Sequence, residues 1–127
     1  MPETLTEIAA ALRAGQVRST QLVDRAFART ARLNPRFNAF VALDEAGARA
    51  AAQESDARWK RGEPRSPLDG APISVKDNIH VAGLRSTWGS RALAEFTPAL
   101  DELPVARLRA AGAIVIGKTN VPEFTLE

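Results

Sequence analysis

The sequence has no cysteine and only one histidine, and both shortages exclude kinds of chemistry. Without cysteine the chain forms neither a disulfide bond nor a thiol nucleophile, which agrees with a reducing compartment. With a single histidine, His80, it cannot complete a histidine-based triad or a metal site built from several histidines. We therefore expect His80 to be a solvated residue of a turn.

Long apolar runs are also missing. No segment approaches the ~20 apolar residues that span a bilayer, and residues 1–4 show neither the basic start nor the apolar core of a signal peptide. These absences predict a cytoplasmic protein with no membrane partner.

The charge is weakly basic, with 17 lysines and arginines against 15 acidic residues and a sequence pI near 9.7. The basic residues are spread over several predicted helices with acids between them, so no block of positive charge forms. We therefore expect no nucleic-acid partner. A hydrophobic content of 45% is ordinary for a soluble globular chain.

Lysine is scarce, because 14 of the 17 basic residues are arginine and the lysines are Lys60, Lys76 and Lys118. Arginine cannot lose its proton at workable pH, whereas lysine can when it is desolvated or placed beside other cations. A lysine retained in this chain therefore needs a local reason.

Lys76 has the most informative surroundings of the three. Alternation along residues 72–76 predicts a strand with Ser74 and Lys76 on one face, and a polar turn begins at Asp77. Two interpretations remain open on this pattern. Lys76 is either a surface lysine paired with Asp77, or a catalytic base, which would need a pKa roughly 3 units below the ordinary value of lysine.

Helical and strand patterns alternate along the chain. The predicted elements are helices over residues 4–15, 19–33, 44–60 and 102–111, and strands over 37–43, 72–76 and 113–116. Thr4 and Glu7 predict a capping box at the first helix, and Asp44 is expected to cap the third. The second helix is expected to end before Asn34-Pro35, because the residue that precedes a proline disfavours helical geometry. The order predicts an α/β fold whose sheet is covered on both faces, with part of the sheet supplied by residues beyond 127.

Residues 112–119 (GAIVIGKT) satisfy the phosphate-binding pattern G-x-x-x-x-G-K-[ST], which makes a nucleotide-binding protein an alternative. A true P-loop has a strand before the first glycine and a helix that opens at the lysine, so that backbone amides surround the phosphates. Here the order is reversed, because a predicted helix comes first and a strand fills the space between the glycines. We expect Lys118 to end this strand and to position the segment that follows.

The second half of the chain resembles the amidase signature family, hydrolases that use a serine, a second serine joined by a cis peptide, and a lysine. The matching segments are 67–78 (PLDGAPISVKDN), 81–84 (VAGL), 87–90 (TWGS), 105–113 (VARLRAAGA) and 117–124 (GKTNVPEF). The resemblance identifies Lys76 as the catalytic lysine. It implies an α/β fold with N-terminal helices followed by part of a mixed sheet covered by helices. Residues 1–127 would form the N-terminal part of one amidase domain, with 1–65 as a mainly helical lead-in and 66–127 as the start of the core.

The resemblance also implies an incomplete site. In the family both serines, and the amides of the oxyanion hole, follow the Gly-Lys-Thr-Asn block, so only the lysine of the triad lies within residues 1–127. The implied reaction is hydrolysis of a carbon-nitrogen amide bond in a small molecule, with no metal or organic cofactor. We expect these 127 residues alone to be inactive and less cooperatively folded than a complete domain. A non-catalytic truncated or structural fragment, and one subunit of an amidotransferase, remain alternatives, and the oligomeric state is open.

Two further groups have structural explanations. Asp101 and Glu102 stand where a helix begins, so capping or helix-dipole complementation accounts for them. Residues 86–90 form a polar loop around Trp88, which the resemblance places near the active site. Trp88 either lines the pocket or packs the loop onto the core.

Overall fold

The computed structural model describes residues 3–126. In chain order the helices and strands of this range are α1 (Leu5–Arg13), α2 (Ser19–Phe37), β1 (Phe40–Leu43), α3 (Glu45–Arg61), β2 (Pro72–Lys76), α4 (Leu103–Ala110) and β3 (Ile114–Thr119). Short 3-10 turns occupy Arg91–Leu93 and Glu123–Thr125. None of the described helices is long and apolar enough to cross a membrane.

Local signals position the helix starts, as the sequence predicts. At α1 the amide of Glu7 donates to Thr4 Oγ1 at 3.2 Å, and the amide of Thr4 donates to Glu7 Oε2 at 3.2 Å. At α3 the Asp44 carboxylate accepts from the amide of Gly47 at 3.0 Å. These caps satisfy amides that a helix leaves without partners at its N-terminus.

The predicted end of the second helix is wrong, because α2 continues through Asn34 and Pro35 to Phe37. Proline removes a hydrogen bond only from the last turn here, and the Asn34 side chain adds two bonds in its place. Its amide nitrogen donates to Phe40 O at 3.0 Å, and its oxygen accepts from Phe40 N at 2.7 Å. Asn38, with φ 48°, then ends the helix, so β1 starts later than predicted.

The three strands form a mixed sheet in the order β1-β3-β2. β2 runs parallel to β3, and β1 runs antiparallel to it, which agrees with the predicted fold class. β3 extends beyond the predicted end at residue 116. Gly117 permits this, since a Cβ atom there would lie 2.3 Å from the carbonyl oxygen of Ala42 on β1.

Helices pack on both faces of the sheet. Side chains of α2, α3 and β3 form one cluster: Val23, Phe27, Ala48, Ala52, Ile114 and Ile116. The other face carries a second cluster, consisting of Val75, Val81, Val105 and Val115. Burying side chains of this size stabilises a fold by about 1.5–3 kcal/mol each. Leu100 and Leu103, by contrast, are 79% and 62% exposed, and such apolar surface is an aggregation hazard.

A buried ion pair fixes the loop that leads into β2. The Asp69 side chain is fully buried. Its carboxylate accepts hydrogen bonds from Arg58 Nε at 2.8 Å, from Arg58 Nη2 at 2.7 Å and from the Arg65 amide at 2.8 Å. Burial alone would raise the pKa of this carboxyl, but the hydrogen bonds from Arg58 and Arg65 outweigh it and hold the pKa below its ordinary value. A Cβ atom at Gly112 would lie 2.6 Å from the carboxyl carbon, so glycine is needed there.

We expect Asp69→Asn to lower the free energy of unfolding by about 3 kcal/mol, because removing one partner of a buried ion pair costs about 3–5 kcal/mol. Urea unfolding followed by circular dichroism measures this change. Asp24→Asn is the matched control, since Asp24 pairs with Arg49 on the surface, where both side chains are well exposed. It should leave the unfolding midpoint nearly unchanged.

The same pair sets a pH dependence. The pKa of Asp69 is lower in the folded chain than the unfolded value of about 3.9, so its contribution is complete above that pH and is lost as the pH falls through the folded pKa. The unmodified chain should therefore lose stability more steeply than Asp69→Asn between about pH 5 and pH 2. Parallel curves for the two proteins would contradict this role.

Candidate active site

Lys76 ends β2 with its side chain exposed to solvent. Alternation along the strand leaves Ser74 exposed as well and buries Val75, as the pattern predicts. Within residues 3–126 the Lys76 amine makes no hydrogen bond or ion pair. The amine is therefore accessible and is not held by an acidic neighbour.

The interpretation of Lys76 as a surface partner of Asp77 is wrong. The Asp77 side chain turns inward and is 1% exposed. One carboxylate oxygen accepts from Lys118 Nζ at 3.2 Å, and the other accepts from the Thr87 amide at 3.2 Å and from the Thr87 hydroxyl. Asp77 is satisfied inside the protein, because the turn after β2 points it away from the face on which Lys76 lies.

Lys118 is the largest fully buried side chain of the described range. Its ammonium donates to Asp77 Oδ1 at 3.2 Å, to Ser86 Oγ at 3.2 Å and to the Arg85 carbonyl at 3.4 Å. Burial lowers the pKa of Lys118 from its ordinary value, and Asp77 opposes this change. Lys118 lies within β3, one residue before its end, and binds the loop at residues 85 and 86, while the expected positioning of the segment after β3 stays a prediction.

Sequence reasoning did not find this buried pair. One signal was present, since Lys118 follows the apolar residues 113–116 without a polar break, and a lysine in such a run needs a buried counterion. Its partner could not be identified from sequence, because Asp77 is 41 residues away along the chain.

The polar loop at 86–90 is fastened to the residue that follows Lys76. Ser86 Oγ donates to the Asp77 carbonyl at 3.2 Å, and the Trp88 amide donates to the same oxygen at 3.3 Å. On its other side the loop contacts the segment after β3, where a Cβ atom at Gly89 would lie 2.4 Å from the Val121 carbonyl oxygen. The loop therefore borders the end of β2, and Trp88 is half-buried within it.

The phosphate-binding pattern has the wrong geometry. Residues 114–119 are a strand, α4 precedes the first glycine, and Lys118 is buried against Asp77. No helix opens at Lys118, so no row of amides faces a phosphate there. The pattern match carries no nucleotide site.

The remaining polar candidates hold a turn in place. Glu102 Oε1 accepts from the His80 amide at 2.8 Å, and Asp101 Oδ1 accepts from the Ala82 amide at 2.7 Å. Glu102 occupies the N-cap position of α4, but its side chain makes no capping hydrogen bond, so the capping alternative is wrong and helix-dipole complementation stays a prediction. His80 is half-buried, with its ring edge on Phe96, and is not fully solvated. Among the described residues no cluster of three His, Asp or Glu side chains could hold a metal ion.

Comparison with known proteins gives a consistent result. A family model described as Amidase matches residues 21–127. A glutamyl-tRNA(Gln) amidotransferase subunit from Roseiflexus sp. (strain RS-1) is 44% identical over 123 residues, which are 97% of this chain and 25% of that protein. The corresponding mitochondrial protein of Ixodes scapularis is 54% identical over 87 residues, covering 68% of this chain and 17% of that protein.

A solved structure is similar in fold as well as in sequence. The native peptide amidase from Stenotrophomonas maltophilia superposes with a TM-score of 0.89 at 39% identity, covering 94% of this chain and 25% of that one. The chain thus spans about a quarter of the length of the relatives it matches.

The three lysines should differ in chemical reactivity. Limited acetylation of the native chain at neutral pH should modify the exposed amines of Lys60 and Lys76 and spare Lys118, which is buried and hydrogen bonded. Peptide mass spectrometry measures the three sites separately. Acetylation of Lys118 at the rate of Lys60 before urea is added would contradict the buried pair.

Proposed function

Because the chain belongs to the amidase signature family, we propose that it is the part of an amide C-N hydrolase that supplies the lysine base, Lys76. The observation that carries this proposal is the accessible amine at the end of β2, which makes no ion pair within the described residues. A general base must be able to lose its proton and to reach the group from which it takes one.

The charges around Lys76 leave its amine without an acidic partner in the described part of the chain. A carboxylate close to a lysine favours its protonated form and raises its pKa. Asp77 is the carboxylate next to Lys76 in the chain, and its charge is already balanced by Lys118 at 3.2 Å. Lys76 therefore keeps no acidic partner among residues 3–126 that would hold its proton.

In the proposed reaction, neutral Lys76 takes a proton through the cis serine from the nucleophilic serine. The serine oxygen attacks the amide carbonyl, the C-N bond breaks, and the departing amine takes the proton, which leaves an acyl-enzyme. Water then attacks the acyl carbon and gives up a proton, the ester bond to serine breaks, that proton restores the serine hydroxyl, and the acid is released. No metal or organic cofactor enters this sequence.

We further propose that both serines and the oxyanion hole belong to segments outside residues 1–127, as the resemblance implies. The substrate would be a small-molecule amide in the cytoplasm. The relatives of this chain include a peptide amidase and amidotransferase subunits, so hydrolysis and amide transfer share this part of the fold.

The first test is a chimera in which residues 1–127 replace the matching quarter of the S. maltophilia peptide amidase. Lys76→Arg keeps the charge but removes the neutral form, and Lys76→Ala removes the amine. We expect each variant to lower kcat by about 100-fold or more, the range for loss of general base catalysis. Release of ammonia from a peptide amide measures the rate.

Lys60→Arg in the same chimera is the matched control, since Lys60 is an exposed lysine in the last turn of α3. It should retain nearly full activity. A Lys76→Arg chimera as active as the Lys60→Arg chimera would show that Lys76 is a surface residue without a catalytic role.

The second test uses the 127-residue chain by itself. Its serines should not react with a fluorophosphonate, because none of them is an activated nucleophile, while the chimera should be labelled once. Intact-mass spectrometry distinguishes the two results. Stoichiometric labelling of the chain would mean that it contains a nucleophilic serine of its own.

A further inference from the structure

Asp77 is the carboxylate that Lys76 would ordinarily meet first, since the two residues are consecutive. In this fold the carboxylate is 1% exposed and all its observed bonds point inward. The main chain around it is also fixed, because the Asp77 amide donates to the Thr119 carbonyl at 3.0 Å and the Ile79 amide donates to the Lys76 carbonyl at 3.0 Å. The turn that follows Lys76 is therefore fixed by the buried Asp77 side chain and by main-chain hydrogen bonds.

Lys118 is the cation that keeps Asp77 in this position. Its ammonium contacts the carboxylate at 3.2 Å, and two loop acceptors, the Ser86 hydroxyl and the Arg85 carbonyl, complete its three donor sites. Thr87 holds the second carboxylate oxygen. Glu102 is the other acidic group whose charge acts on Lys118.

We propose that Lys118 is a positioning residue for Lys76: by binding the Asp77 carboxylate inside the fold, it withholds that carboxylate from the Lys76 amine and fixes the turn that presents the amine. This inference rests on the proposed function, since it matters to catalysis only if Lys76 is the base. Lys118 acts through Asp77 and does not touch the reacting atoms.

Removing the ammonium should release the carboxylate. In Lys118→Met the Asp77 charge has no buried counterion, and an uncompensated buried carboxylate is costly enough to turn toward solvent or toward another cation. Lys76 is the cation nearest to it in the chain. An exposed pairing of this kind should raise the titration midpoint of Lys76 by about 0.3 to 0.7 pH unit.

The test measures the titration of the Lys76 amine directly in the 127-residue chain. The three lysines allow isotope-labelled lysine to give three side-chain NMR signals, which single Lys→Arg substitutions at Lys60 and Lys76 assign. A pH titration then gives the midpoint of Lys76 in the unmodified chain and in each variant. This measurement gives an answer whether or not the Lys76→Arg chimera loses activity, so the inference and the proposed function can fail separately.

The double variant Lys118→Met/Asp77→Asn separates positioning from general stability. It removes the carboxylate along with the ammonium, so the Lys76 midpoint should return to within about 0.2 pH unit of the unmodified chain, even though the ion pair is absent. If Lys118 only stabilised the fold, the double variant would not restore the Lys76 titration.

Arg58→Met is the matched control. It removes the cation from a second buried carboxylate, Asp69, which is not adjacent to Lys76 in the chain. It should lower stability and leave the Lys76 midpoint unchanged. If Lys118→Met does not fold, Thr87→Val gives a second measurement of the Lys76 midpoint. This variant removes the hydroxyl hydrogen bond to Asp77 and keeps Lys118. It should move the midpoint in the same direction by a smaller amount.

The inference is overturned if Lys76 titrates at the same pH in the unmodified chain, in folded Lys118→Met and in Thr87→Val. It is also overturned if Arg58→Met moves the midpoint as far as Lys118→Met does. An upward shift in Lys118→Met that is reversed in the double variant supports it.

Discussion

The ion pair between Asp77 and Lys118 is the interaction on which the described site depends. It is almost completely buried, and it joins the end of β2 to β3 and both of them to the loop at 85–88. A buried pair of this kind contributes little net stability, because desolvation of the two charges offsets their attraction. What it supplies is one preferred arrangement, since separating the pair within the fold would leave a charge buried without a partner.

A second buried pair acts at the other end of the same strand. Asp69 binds Arg58 shortly before β2 begins, and Asp77 binds Lys118 directly after it ends. The strand is therefore held at both ends by carboxylates whose partners lie on other elements. Because side chains alternate along a strand, fixing its ends also fixes the face on which Lys76 lies. Two buried carboxylates, Asp69 and Asp77, thus fix the strand so that Lys76 is exposed.

The sequence predicted those features that depend on neighbours in the chain. The capping box of Thr4 and Glu7, the Asp44 cap and the alternation of β2 all involve residues within a few positions of each other, and the structure confirms them. The end of α2 was predicted incorrectly, because local proline geometry was outweighed by the bonds between Asn34 and Phe40. One of the two interpretations left open paired Asp77 with Lys76 on the surface, and the structure contradicts this pairing. The sequence could not identify the true partner of Asp77, because Lys118 is 41 residues away and no local pattern points to it.

Two of the three lysines, Lys118 and Lys76, have different reasons for not being arginine. At Lys118 the reason is packing: a compact ammonium with three donors matches three buried acceptors, whereas a guanidinium with five donors would leave some unsatisfied. At Lys76 packing gives no such reason, because the side chain is exposed and has no acceptor among residues 3–126 to fit. Arginine would be accommodated there as it is at 14 other positions of this chain. Lysine differs from arginine here in that only lysine can lose its proton, which is the property that the proposed role as a general base requires.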